Sequence, residues 1–197
     1  MAEGKTFIIS GPSGVGKGTI VKALLQNRPD VFLSVSATTR APRAGEEDGV
    51  HYRFIDVESF RRLIEDDAFL EYAEYVGNFY GTPKKYVDDA MAQGKDVILE
   101  IDVQGATQVS AKRPDAVTIF VVPPSWEALE QRLRDRGTDS EEKLQKRLVR
   151  AKVELQAASA YSYMVINDTV EEAVREVSAI MLAEHCRPNE RLKLLSE

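Results

Sequence analysis

One short stretch limits the fold of this chain more than any other: Gly11-Pro-Ser-Gly-Val-Gly-Lys17, which fits the spacing G-x-x-x-x-G-K. It follows an apolar, β-branched run, Thr6–Ile9, and opens a helical pattern from Lys17 to Gln26 with Ile20, Ala23 and Leu24 on one face. That strand–loop–helix context is what the motif needs to bind phosphate. Glycines let successive backbone N–H groups converge on an anion, and the helix offers it the positive end of its dipole. Gly11, Pro12, Ser13, Gly14, Val15, Gly16, Lys17, Gly18 and Thr19 are therefore expected to cradle a nucleoside triphosphate, with Lys17 reaching its β- and γ-phosphates. The residue after the lysine is ordinarily a Ser or Thr that ligates Mg²⁺, and here it is Gly18. Magnesium readily keeps several waters, so it is expected to be held mainly through phosphates and water.

A phosphate loop needs a parallel sheet behind it, and the chain supplies further runs suited to strands buried on both faces: Phe32–Ser36, Val97–Ile101, Val117–Val122 and Tyr163–Ile166. Helical patterns separate most of them. Thr82-Pro83 reads as an N-cap and first-turn proline ahead of a helix that stops at Gly94, and Val170–Glu184 repeats Val170, Val174, Val177 and Met181. Strands alternating with helices predict an α/β fold of three layers, α/β/α, around a central parallel sheet. Two segments break the rhythm. Residues 37–81 hold an alternating His51–Ile55, a helical ESFRRLIEDD, and Phe69–Tyr75 before a Gly77-Asn78 turn, which together read as a small α+β insertion. Residues 126–160 read as helical, with Leu144, Leu148, Ala151 and Leu155 in one stripe and a strongly basic remainder.

The acids and arginines near the carboxyl ends of these strands carry the chemistry. Glu100 and Asp102 end the strand Val97–Ile101, where they suit the waters of Mg²⁺ or a substrate. Arg40 and Arg43 follow the strand Phe32–Ser36 and so emerge on the phosphate-loop side, and each guanidinium can grip a phosphate with paired hydrogen bonds. The chain around them is acidic: Lys plus Arg is 26, Asp plus Glu is 32, and the net charge is −6. That balance argues against a general nucleic-acid binder but allows a local basic pocket for a phosphorylated ligand. A single cysteine, Cys186, permits no intrachain disulfide and fits a reducing cytoplasm. With two distant histidines it makes no structural zinc site. The N-terminus shows no signal-peptide pattern, and no apolar run approaches a membrane span. A cytoplasmic protein of 197 residues with one main core is expected.

The strings GPSGVGKGT, SVSATTRAPRAGE, FLEYAE, GNFYGTP, LEIDVQGA and RGTDSEE…KRL, in this order from Thr6 to Glu184, resemble those of bacterial guanylate kinases. The resemblance implies a CORE at 1–36, 82–125 and 161–197, a nucleotide-monophosphate-binding insertion at 37–81, and a helical LID at 126–160. It implies transfer of the γ-phosphoryl group of ATP, as co-substrate with Mg²⁺, to GMP or dGMP. By the same resemblance Arg40, Arg43, Tyr52 and Tyr80 grip the GMP phosphate, and Ser36, Glu71 and Thr82 meet the base with Asp102 close by. Lys17, Arg40, Arg136 and Arg147 become the catalytic charges, and Arg132 and Asn167 fall on the ATP side. The chemistry at Glu71 agrees, because guanine presents two adjacent donors and a carboxylate has only acceptors. Adenine would turn a lone pair toward the same carboxylate and leave a buried group unpaired. The expected partners are small nucleotides, with no nucleic acid, membrane or obligatory protein.

Two rival readings share much of this pattern. A guanylate-kinase-like binding module would keep the fold without the catalysis, and the presence of Lys17, Arg40, Arg43, Arg136 and Arg147 argues against it. A kinase for another nucleoside monophosphate is compatible with the GKGT ending of the loop, and FLEYAE and SVSATTR argue against that one.

Overall fold

The structure is a computed structural model that describes residues 4–135 and 140–193. In chain order the elements are β1 (Thr6–Ser10), α1 (Lys17–Asn27), β2 (Val31–Leu33), β3 (Ala37–Thr38), β4 (Arg53–Phe54), α2 (Val57–Glu65), β5 (Phe69–Tyr75), β6 (Asn78–Pro83) and α3 (Lys84–Ala92). They continue with β7 (Asp96–Glu100), α4 (Val103–Lys112), β8 (Val117–Val122), α5 (Trp126–Asp135), α6 (Glu141–Leu155), a 3-10 turn at Gln156–Ala160, β9 (Tyr163–Ile166), α7 (Val170–His185) and α8 (Pro188–Lys193).

Five strands form one parallel sheet in the order β2-β7-β1-β8-β9. Its interior strands are buried on both faces, which is why their sequences are apolar without alternation. Phe7, Ile9, Ile98, Ile119, Val121 and Val165 pack on one face with Val21 and Leu24 of α1 and Val177 and Met181 of α7. Ile8, Val97 and Leu99 pack on the other with Val87 and Met91 of α3 and Val109 of α4. The expected three layers are therefore present. Carboxyl ends of β1 and β7 lie side by side, since Ile9 is in register with Glu100, so the phosphate loop and the acid leave the sheet together.

The second sheet holds β4-β3-β6-β5 and mixes parallel and antiparallel pairs. Its core is aromatic. Phe60 of α2 stacks on Phe69 at 4.4 Å and on Phe79 at 5.4 Å between ring centroids, and such pairs are worth about 0.5–1.5 kcal/mol each beyond the area they bury. A third apolar cluster joins Leu129 and Leu133 of α5 to Leu144, Leu148 and Ala151 of α6, three of the four residues of the expected helical stripe, with Leu155 outside it.

Several local expectations shift. The strand expected at Phe32–Ser36 ends at Leu33, and the chain then crosses to the second sheet and forms β3. Arg40 and Arg43 thus follow β3, not a strand of the main sheet. The expected strand at His51–Ile55 contracts to Arg53–Phe54. Thr82 is no N-cap: it belongs to β6, where a cross-strand partner beside Glu71 outweighs its capping propensity, and α3 begins at Lys84 after Pro83. The hairpin turn is Val76-Gly77, both at positive φ (50° and 71°), one residue before the expected place. That primed geometry matches the twist of the two strands.

Candidate active site

The phosphate loop follows β1 and caps α1 with Gly16. Gly16 has φ 97°, a region that favours glycine, and a Cβ there would stand 2.5 Å from Asn167 Nδ2. No side chain caps α1, so its first N–H groups stay available to an anion. Lys17 Nζ donates to the carbonyls of Gly11 (2.7 Å) and Pro12 (3.3 Å), folded back over the loop. The loop is braced from behind. Asn167 Nδ2 donates to Val15 O at 2.7 Å, and Arg132 donates to Val15 O (3.3 Å) and Asn167 O (2.9 Å). Both expected ATP-side residues therefore touch the loop. Asn167 is buried, and its Oδ1 has no hydrogen-bond partner among the described residues.

Glu100 stands over the start of α1. A Cβ on Gly18 would lie 3.3 Å from Glu100 Oε1, so the missing side chain is what leaves room for the carboxylate. Water reaches Glu100, yet the walls of the cleft raise its pKa by desolvation, against a smaller lowering by Lys17. No group of three or more His, Cys, Asp or Glu side chains among the described residues could hold a metal by itself. One recessed carboxylate beside a phosphate loop fits a magnesium ion held chiefly by phosphates and water.

The second sheet faces this loop with a different set of groups. Arg40 is fixed by Glu46, with Nη2 to Oε1 at 2.9 Å, and it lies 5.4 Å from the Tyr52 ring centroid. Glu46 also accepts from the Arg43 N–H at 2.8 Å, and Arg40 holds the Glu46 carboxyl down to about 2. Tyr52 and Tyr80 meet edge to face at 6.0 Å. Burial raises the Tyr52 pKa, and Glu100 across the cleft adds to the rise. Arg40, Tyr52 and Tyr80 are thus brought together. The Arg43 side chain is exposed on the loop beyond them, and Ser36 is half-buried at the entry to β3. Thr38 and Thr39 steady the loop: Thr38 Oγ1 donates to Phe79 O, and Thr39 Oγ1 accepts from Phe79 N, each at 2.9 Å.

Glu71 sits on β5 with 7 % of its surface exposed. Thr82 Oγ1 donates to its Oε1 at 2.6 Å. A Cβ on Gly105 would be 3.1 Å from its Oε2, so the start of α4 is pressed against the acid. Burial pushes the Glu71 carboxyl up to about 7, Thr82 opposes this by hydrogen bonding, and the nearby Asp102 charge adds to the rise. Asp102 caps α4 through Oδ1 to Gly105 N (2.9 Å). Its Oδ2 accepts from Arg150 Nη2 at 3.2 Å.

Helix α6 closes the third side. Arg147 donates to Ser13 Oγ at 2.8 Å, and Glu154 accepts from Ser13 N at 3.4 Å and from Arg150 Nε at 2.7 Å. Arg136 lies outside the described residues. Sequence reasoning missed Glu46, Arg150 and Glu154, which hold other side chains and the loop in place around the site. Only the pair on α6 left a local trace: Arg147, Arg150 and Glu154 recur at helical spacing, on the face that meets the loop.

A phosphate loop at the carboxyl edge of a parallel sheet, beside a small second sheet with an arginine, two tyrosines and a buried acid, defines a phosphate-loop α/β protein. The family model for guanylate kinase matches residues 3–184. A guanylate kinase of Clostridium perfringens (strain SM101 / Type A) is 54% identical over 191 residues, which cover 97% of this chain and 88% of the relative. One from Caldanaerobacter subterraneus subsp. tengcongensis is 53% identical, with 94% of this chain and 90% of the relative covered. The crystal structure of guanylate kinase from Anaplasma phagocytophilum superposes with a TM-score of 0.76 at 36% identity, covering 95% of this chain and 89% of that one. This chain belongs to the guanylate kinase family, a family of ATP:GMP phosphotransferases. Among the described residues no helix is long and apolar enough to cross a membrane.

Proposed function

We propose that this chain transfers the γ-phosphoryl group of ATP to GMP, giving ADP and GDP, in the cytoplasm and without a macromolecular partner. The observation that carries the choice of acceptor is the buried Glu71, an acid with Thr82 on one oxygen and the α4 N-terminus against the other. Guanine N1–H and N2–H₂ are the donors such an acid lacks.

The division of labour follows from charge. The nucleophile is an oxygen of the GMP phosphate, whose second pKa is about 6, so it is anionic near neutral pH and needs no general base. The barrier is repulsion between two anions, lowered by positioning and neutralisation. Lys17 and the loop amides, Gly11 to Thr19, hold the ATP phosphates, with Arg132 and Asn167 fixing the back of the loop. Arg40, Arg43, Tyr52 and Tyr80 hold the GMP phosphate, and Ser36, Glu71, Thr82 and Asp102 surround the base. Arg147 and, by the family resemblance, Arg136 bring positive charge over the transferring group. A bound Mg²⁺ would neutralise phosphate charge, its waters held by Glu100 and Asp102. In this reading residues 37–81 are the GMP-binding insertion, 126–160 the LID and the remainder the CORE.

A coupled assay of ADP release with ATP and each of GMP, dGMP, AMP, UMP and dTMP tests this. Turnover with GMP or dGMP at least about a hundredfold above AMP is expected from the mismatch at Glu71. Equal turnover of AMP would refute the assignment.

A further inference from the structure

Helix α6 carries a pair of charges that the phosphate chemistry does not use. Glu154 is buried, with 9 % of its surface exposed, although it is a carboxylate on a helix whose neighbouring polar residues are solvated. It has two partners, the Ser13 N–H of the phosphate loop and Arg150 Nε. Arg150 in turn places Nη2 on Asp102 Oδ2. Asp102 holds Gly105 N with its other oxygen, and Gly105 abuts the Glu71 carboxylate. A run of polar contacts therefore leads from the phosphate loop through α6 to Gly105, which packs against the acid expected to meet guanine. Arg150 lies between two carboxylates on different elements, and a planar fork suits that bridge where a point charge does not.

We propose that Arg150 and Glu154 form a positioning pair that makes occupancy of the GMP site and of the phosphate loop favour one another. The proposal rests on the ATP and GMP assignment above. Arg150 acts through Asp102 on one side and through Glu154 and Ser13 on the other. A nucleotide that orders the loop sets Glu154, and with it Arg150, against Asp102. A nucleotide monophosphate that orders the floor around Glu71 does the same from the opposite end. Such coupling is reciprocal by thermodynamic necessity. The bridge itself adds little to stability, because the Arg150 side chain is 51% exposed.

The test measures GMP affinity calorimetrically with Mg²⁺, alone and with the β,γ-imido analogue of ATP at saturation. In the unaltered protein the analogue should tighten GMP by about fivefold or more, the usual lower range for coupled sites. The double variant R150M/E154Q removes both charges, so no carboxylate is left buried alone. Each nucleotide alone should then bind within about twofold of its original affinity, while the tightening falls to about twofold or less. Arg150→Lys, which can reach one carboxylate but not both, should give an intermediate factor. A double variant that keeps the full tightening overturns the pair's role while leaving the GMP assignment intact. So does a tenfold loss of lone GMP binding, which would make Arg150 an ordinary ligand contact. An unaltered protein that binds GMP no better than AMP overturns the assignment and this inference together.

Discussion

The two faces of the cleft are built on different physical plans. On the phosphate-loop side the sequence is contiguous, the groups offered to ligand are largely backbone N–H donors, and the bracing contacts from Arg132 and Asn167 end on main-chain carbonyls. On the second sheet the groups are side chains from separate elements: Arg40 after β3, Tyr52 before β4, Glu71 on β5 and Tyr80 on β6. The strands β3 and β4 have 2 residues each, so they cannot hold a site by ladder hydrogen bonds alone. What holds them is the Phe60–Phe69–Phe79 stack beneath and the Glu46 clamp on Arg40 above. A backbone site is insensitive to most single side chains. A convergent side-chain site is sensitive to each of its members and to pH.

The largest effect that separates the two faces comes from removing one charge on each. Lys17→Met should lower kcat by about 10²–10³-fold, the cost of losing an electrostatic contact to the transferring group. KM for GMP should move little. Arg40→Met should raise KM for GMP by about 10–100-fold, since a charge-assisted hydrogen bond is worth roughly 1.5–3 kcal/mol. Binding of an ATP analogue should survive it. Steady-state kinetics with each nucleotide varied checks both, and equal effects of both changes on both nucleotides would erase the contrast between the faces.

This contrast also explains what the sequence could disclose. The loop motif, the five core strands and the helices α1, α3 and α7 are legible because hydrophobic runs and glycine spacing are local signals, whereas α4 is not. Parallel layering followed from strands that stay apolar without alternation. The second sheet was less legible. Thr82 has the propensity of an N-cap, but Glu71 lies across the hairpin and recruits its hydroxyl instead. Nothing within a few residues of Thr82 announces that partner. The same holds for Glu46, whose partner Arg40 is separated from it by a proline-containing loop, and for Arg150, whose carboxylates lie on another element and one turn along its own helix. Arg40, Tyr52, Glu71 and Tyr80 were found as a set only through family resemblance, because no pattern in the chain brings those numbers together.

An intermediate effect concerns pH and touches only the second-sheet side. Glu71 must be ionised to accept from guanine, and burial places its pKa at about 7. Below that value GMP affinity should therefore weaken, toward tenfold per pH unit, while ATP-analogue affinity over pH 6–8 changes far less. The stability of the fold should run the opposite way. A carboxyl whose folded pKa lies above its unfolded one stabilises the fold at low pH and loses that contribution as pH rises. Glu71 should thus contribute stability below about 4.5 that is gone once the pH passes about 7, with a size on the order of a few kcal/mol. Glu71→Gln should remove the Glu71 share of both pH dependences, leave that of the GMP phosphate with its pKa of about 6, and erode guanine selectivity. Thermal melts of the two proteins at pH 5 and pH 8, beside GMP titrations at the same pH values, check the sign.

The smallest effect sharpens the contrast within the second-sheet side itself. Glu46 is a clamp: it holds the Arg40 guanidinium and the Arg43 N–H, and its own carboxyl is held down to about 2 by Arg40. The sign is that of a depressed acid. Its contribution is present above about 4.5, persists through neutral pH, and fades only as the pH falls toward about 2. The pair is therefore intact wherever the enzyme would work, so of the two acids only Glu71 adds to the loss of GMP affinity that protonation of the GMP phosphate itself brings. Glu46→Gln keeps the shape and removes the charge, leaving Arg40 to be ordered by the incoming phosphate. Ordering one long side chain costs about 0.5–1.5 kcal/mol, so KM for GMP should rise about threefold to tenfold with kcat nearly unchanged. A fall in KM would mean that Glu46 competes with the phosphate more than it prepares Arg40 for it. The clamp would then be a brake, and the second sheet less ready for its ligand than the phosphate loop opposite.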